Sequence, residues 1–98
     1  MNKNRRGFER HSLSGSIRYQ RKGAQEFASS VGRDISSTGI GFISGEFFPI
    51  STDLIFQVQH PKTHDFIQAV GRVVWISNER HSERFLVGAS FIGPPLSI

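Results

Sequence analysis

The amino-acid sequence predicts an all-β domain built as a six-stranded antiparallel barrel. Apolar residues alternate with a period of two in six segments, clusters of Gly, Ser, Asn, Asp and Pro separate those segments, and no stretch carries the spacing of an amphipathic helix. Ninety-eight residues supply one domain with one modest core. An antiparallel set of this size without covering helices has to close on itself, because an open sheet would leave its apolar face wet and its edges unpaired.

The first strand is expected over residues 14–20, alternating around Ile17 and Tyr19. The second and third, residues 27–35 and 40–44, flank the polar turn Ser36-Ser37-Thr38-Gly39. A fourth, residues 53–60, places Leu54, Phe56 and Val58 on one face, and Pro61-Lys62-Thr63-His64-Asp65 reads as a hairpin loop. The fifth, residues 66–77, sets Ile67, Ala69, Val73 and Trp75 on one side, with Gly71 as the expected bend or bulge. The last, residues 85–92, aims Phe85, Val87, Ala89 and Phe91 inward, and Pro94 and Pro95 stop it because neither can donate to a ladder. Phe47-Phe48-Pro49-Ile50 leaves two Phe in a loop, either packed beneath the barrel mouth or offered to a partner.

Composition removes several classes of function. With 37% hydrophobic and 20% charged residues the chain can bury a core and need not be disordered. It has no cysteine, so disulfides, thiolate zinc sites and cysteine nucleophiles are excluded. The longest purely aliphatic or aromatic run, Val73 to Ile76, is far short of the roughly 20 residues of a membrane-spanning helix, so no membrane insertion is expected. The basic N-terminus is followed by no apolar stretch, which predicts a cytoplasmic rather than a secreted protein. His60 and His64 flank a hairpin loop without a matching third ligand, and no nucleophile has a matched base; neither a metal site nor catalysis is expected.

Charge is unevenly distributed. Residues 1–33 carry eight Lys or Arg against Glu9 and Glu26, whereas residues 34–98 carry four against six acids. Nine of the twelve cations are Arg, whose planar fork matches phosphate oxygens and stacks on aromatic faces. The chain therefore divides into a flexible basic arm, residues 1–12, and a barrel, residues 13–98, with an anionic partner as the natural expectation.

Two motifs follow in order: Arg6-Gly7-Phe8-Glu9-Arg10, preceded by Arg5, and Asp34-Ile35-Ser36-Ser37-Thr38-Gly39. Separately, the first fits a solvated charged arm and the second a tight turn in which Ser and Asp cap backbone groups and Gly supplies positive φ. Together they resemble the PilZ domain, the bacterial receptor module for cyclic di-GMP, whose pattern is R-x-x-x-R in an N-terminal arm and, roughly twenty to thirty residues on, [DN]-x-S-x-x-G at the end of a barrel strand. Gly71-Arg72-Val73-Val74-Trp75 and Val87-Gly88-Ala89-Ser90-Phe91 resemble the family's fifth and sixth strands, so the resemblance covers nearly the whole chain.

The resemblance implies a non-catalytic, PilZ-type receptor with cyclic di-GMP as ligand and Arg5, Arg6, Arg10, Asp34, Ser36 and Gly39 as binding residues. Arg6 and Arg10 can each fork onto phosphate or the guanine O6/N7 edge, or stack on a purine. Asp34, an acceptor only when ionised, suits the guanine N1/N2 edge and penalises adenine. Ser36 offers a hydroxyl, and Gly39 makes the turn that points Asp34 and Ser36 outward. Arg5 implies the ligand bound as an intercalated dimer, as in family members with an arginine at that place. Trp75 is either a core residue or a ring bordering the guanine, and Arg72 reads as a surface charge. Many relatives carry a helix after the last strand; Phe91-Ile92-Gly93-Pro94-Pro95 predicts little or none here. The output is expected through an unidentified downstream protein. A small nucleic-acid-binding barrel is the competing class, disfavoured because the aromatics fall on core-facing positions and the cations gather in one arm.

Overall fold

The computed structural model describes residues 9–13, 15–78 and 82–98. Among the described residues seven strands form: β1 (His11–Ser12), β2 (Ser16–Arg21), β3 (Ala28–Ile35), β4 (Gly39–Ser44), β5 (Asp53–Gln59), β6 (Phe66–Asn78) and β7 (Phe85–Phe91). All pairings are antiparallel, in the order β3-β2-β5-β6-β7-β4, and β4 returns to β3 to close a six-stranded barrel. The six expected strands are present to within two residues at each end.

The additional strand is β1, which falls inside the segment expected to be an arm. His11 and Ser12 pair with Ile35 and Asp34, continuing along β3 the line that β2 begins. Two residues carry too little alternation to be recognised, and only the partner defines them as a strand.

The core is the inward face of the alternating positions: Ile17, Tyr19, Ile35, Ile40, Phe42, Leu54, Phe56, Val58, Val73, Val87 and Ala89 are all buried. Phe42 packs edge-on to Phe56 with ring centroids 5.3 Å apart, and Tyr19 lies 5.0 Å from Phe42. The Tyr19 hydroxyl meets Ser44 Oγ at 3.2 Å; because Ser44 donates its proton to the Glu46 carbonyl, the phenol is the donor. Of the two loop phenylalanines, Phe48 is fully buried and plugs this cluster, whereas Phe47 stays 53% exposed, edge-on to Phe85.

Two expectations about β6 are corrected. The irregularity lies at Val74, not Gly71: Val73 opposes Ala89 and Trp75 opposes Gly88, so Val74 is the extra residue. Gly71 stays in register opposite Leu54 and Phe91, and a Cβ there would stand 2.9 Å from the Phe56 ring. The bulge reverses the alternation beyond it, so Trp75 leaves the inward set with Val73 and is 46% exposed. Among the described residues no helix is long and apolar enough to cross a membrane.

Candidate functional site

Adjacent cross-strand rows on β3, β4, β7 and β6 face opposite ways. The inner row, Ile35–Ile40–Ala89–Val73, is core. Its outer neighbour is Asp34–Gly41–Gly88–Trp75. Three interstrand steps separate the ends of this row, about 14 Å, and the two middle positions have no side chains. A Cβ at Gly41 would lie 3.0 Å from Asp34 Oδ1, and one at Gly88 would lie 2.3 Å from the Trp75 indole. The carboxylate and the indole thus each lean over a glycine, walling a groove of about 410 Å³.

Both walls come from bulges. On β3, Gly32 opposes Phe42 and Asp34 opposes Gly41, leaving Arg33 as the extra residue. Arg33 and Asp34 therefore both turn outward on one side of the groove, as Val74 and Trp75 do on the other, and all four line it.

Arg10 reaches this wall from just before β1. Its Nε and Nη2 donate to Asp34 Oδ1 at 3.1 and 2.8 Å, and its Nη1 donates to Ser36 Oγ at 3.4 Å. No described side chain donates to Asp34 Oδ2. The turn beneath is closed by hydrogen bonds: Ser36 N–H donates to the Gly39 carbonyl at 2.9 Å, and Ser36 Oγ accepts the Thr38 N–H at 3.2 Å. From behind, the Phe91 and Leu96 amides donate to the Thr38 and Ser37 carbonyls, each at 2.8 Å. The expectation that the turn points Ser36 outward is corrected: Ser36 is fully buried and does not line the groove, because its hydroxyl is taken up by the Thr38 amide and Arg10.

The PilZ domain family model matches residues 4–97, nearly the full length. The chain belongs to the PilZ domain family. It is also similar to the solved structure of Bacillus subtilis Inhibitor of motility (MotI/DgrA), with a TM-score of 0.73 at 20% identity over 92% of this chain and 43% of that one. The chain thus spans less than half of that protein, and the likeness shows the barrel fold. No curated protein matches the sequence.

The PilZ barrel brings four of the expected residues together: Arg10, Asp34 and Ser36 in one hydrogen-bonded cluster, with Gly39 at the end of its turn. Trp75 stands across the groove, the outward of the two placements open to it. Arg5 and Arg6 lie outside the described residues. Gly39 has its reason corrected, for it does not occupy the left-handed region; a Cβ there would stand 2.7 Å from the Ala89 carbonyl oxygen, so close approach of β7 requires glycine. Arg33, Gly41, Val74 and Gly88 were not anticipated as groove residues. Of these four, Gly41 and Gly88 left a trace in the sequence, because they interrupt otherwise apolar strands.

Electrostatically, the Arg10–Asp34 pair is half-exposed and contributes at most about 1 kcal/mol. Arg72 lies outside the groove and forks onto its cross-strand partner Asp53 at 2.8 and 3.3 Å. That hydrogen bond, reinforced by the guanidinium charge, holds the Asp53 carboxyl below the ordinary aspartate value. His60 is used locally: its Nδ1 accepts the Lys62 and Thr63 amides, so Nε2 carries the proton donated to the Ser97 carbonyl at 2.9 Å. Among the described residues no group of three His, Cys, Asp or Glu is placed to hold a metal.

Proposed function

We propose that the chain is a non-catalytic receptor for cyclic di-GMP. The observation that carries this reading is the groove itself, with an Arg10-held carboxylate at one end, an indole at the other and a glycine floor between. Guanine needs an acceptor for N1–H and N2–H₂, which the open Oδ2 of Asp34 supplies, and a flat apolar surface, which Trp75 supplies. Arginine forks from Arg10 and Arg6 pair with phosphate oxygens or the O6/N7 edge. Gly41 and Gly88 let a planar base approach the sheet closely. Adenine presents a donor and acceptor pattern that leaves Asp34 unpaired, so cyclic di-AMP is rejected.

Arg5 adds a cation at the same arm, and two intercalated nucleotides per chain is the stoichiometry this supports. Binding draws the basic arm ahead of Arg10 over the groove, Arg10 being already hydrogen-bonded to Asp34 and His11–Ser12 already paired with β3, and changes the surface presented to a downstream protein in the cytoplasm. Calorimetric titration with cyclic di-GMP, cyclic di-AMP, GMP and GTP tests the reading: strong binding of the first alone is expected, and equal affinity for the adenine analogue overturns it. Competition with single-stranded DNA separates this receptor from a general nucleic-acid binder, which would prefer neither.

A further inference from the structure

The bulge in β3 creates a second cation of the groove that belongs to neither motif. Because Arg33 is the extra residue between Gly32 and Asp34, it faces outward together with Asp34 instead of opposite to it. Its carbonyl accepts the Leu13 amide at 2.9 Å, so the segment following β1 fixes the bulge on the far side of β3. The Arg33 side chain is exposed and lines the groove, yet no described carboxylate is in ion-pair distance. Three other arginines are ion-paired: Arg10 with Asp34, Arg21 with Glu46 and Arg72 with Asp53. The Arg10–Asp34 pair is neutral as a unit, so Arg33 is what leaves this wall of the groove net positive.

We infer that Arg33 is a phosphate-contacting residue of this groove, binding a phosphodiester of the cyclic dinucleotide whose guanine edge is held by Asp34. The inference rests on the proposed ligand. The assignment to phosphate follows from donor and acceptor chemistry. A guanidinium has donors only, and a guanine whose N1–H and N2–H₂ point at Asp34 offers it only the neutral acceptors O6 and N7. The strong acceptors left to it there are the anionic phosphate oxygens.

The test uses the full chain and cyclic di-GMP as the probe. Wild type, Arg33→Ala and Arg33→Lys are titrated at low and at high salt, with dissociation rates measured by stopped flow. Arg33 is exposed and makes no described side-chain contact, so both variants should melt like wild type. Arg33→Ala is expected to bind about tenfold more weakly at low salt, on the scale of a charge-assisted contact, to dissociate faster and to depend less on salt. Arg33→Lys should recover most of the affinity, because a phosphate accepts a point charge. Wild-type affinity in Arg33→Ala overturns the assignment and leaves the receptor reading standing. So does a loss confined to the association rate, which is long-range attraction without contact, or a Lys variant as weak as the Ala variant. A wild-type chain that binds no cyclic di-GMP overturns the receptor reading and this inference with it.

Discussion

Asp34 and Trp75 are the two ends of one cross-strand row, and the positions between them, Gly41 and Gly88, carry no side chain. The groove is therefore an absence of Cβ atoms on a β-barrel wall, bounded by two side chains that lean over the gap. Its shape depends on glycine in a way that can be tested separately from its charge.

Gly88→Ala puts a Cβ where the Trp75 indole now lies. The indole is half-exposed and can swing away, so stability should change by about 0.5 kcal/mol or less. Trp75 is the single tryptophan, and its emission maximum should move. Affinity for cyclic di-GMP should fall about tenfold, the lower range of base stacking. Unchanged emission together with unchanged affinity would show that the glycine floor is not needed.

Gly39→Ala makes the opposite case. Its Cβ would meet the Ala89 carbonyl, which is fixed in the β4–β7 ladder and cannot swing. A loss of about 1–3 kcal/mol is expected in chemical denaturation, as for overpacking. A variant as stable as wild type would mean that β7 can retreat at no cost.

Arg10→Ala and Asp34→Ala should each leave the fold intact, since the pair is half-exposed, and each should cost at least about 2 kcal/mol in cyclic di-GMP affinity. Asp34→Ala should also narrow the preference over cyclic di-AMP, whereas Arg10→Ala should weaken binding without that change. Calorimetry on both variants checks this; full affinity in either removes it from the site.

Arg5→Leu addresses stoichiometry. Four phosphates of two intercalated ligands repel one another and call for added positive charge. Titration at protein concentrations well above the dissociation constant should reach equivalence at two nucleotides per wild-type chain and shift toward one in the variant. A wild-type equivalence point of one refutes the role given to Arg5.

The Asp53–Arg72 pair sets a pH dependence. The folded pKa of Asp53 is depressed, so its contribution is fully present above the unfolded carboxylate value and is lost as pH falls through the folded value. Carboxyl NMR titration should show Asp53 below an ordinary aspartate, and Arg72→Ala should bring it back up. An unmoved titration in that variant would assign the shift elsewhere.

The alternation of apolar residues determined the six barrel strands, because a period of two has one buried face whatever the neighbours are. The two motifs, being local strings with a fixed spacing, also singled out Arg10 and Asp34, which line the groove, before any partner strand was known; that Ser36 is buried beneath them was not legible in the string. Which way Trp75 points, and that Arg33 shares the groove with Asp34, was decided only in the tertiary structure. Both depend on a bulge, and a bulge is a mismatch between two strands: Val74 is extra only with respect to Ala89 and Gly88, and Arg33 only with respect to Phe42 and Gly41. The same holds for Gly39, whose need for glycine comes from a carbonyl fifty residues along the chain. Periodicity is a property of one segment, whereas register and close approach are properties of pairs, and the groove is made of pairs.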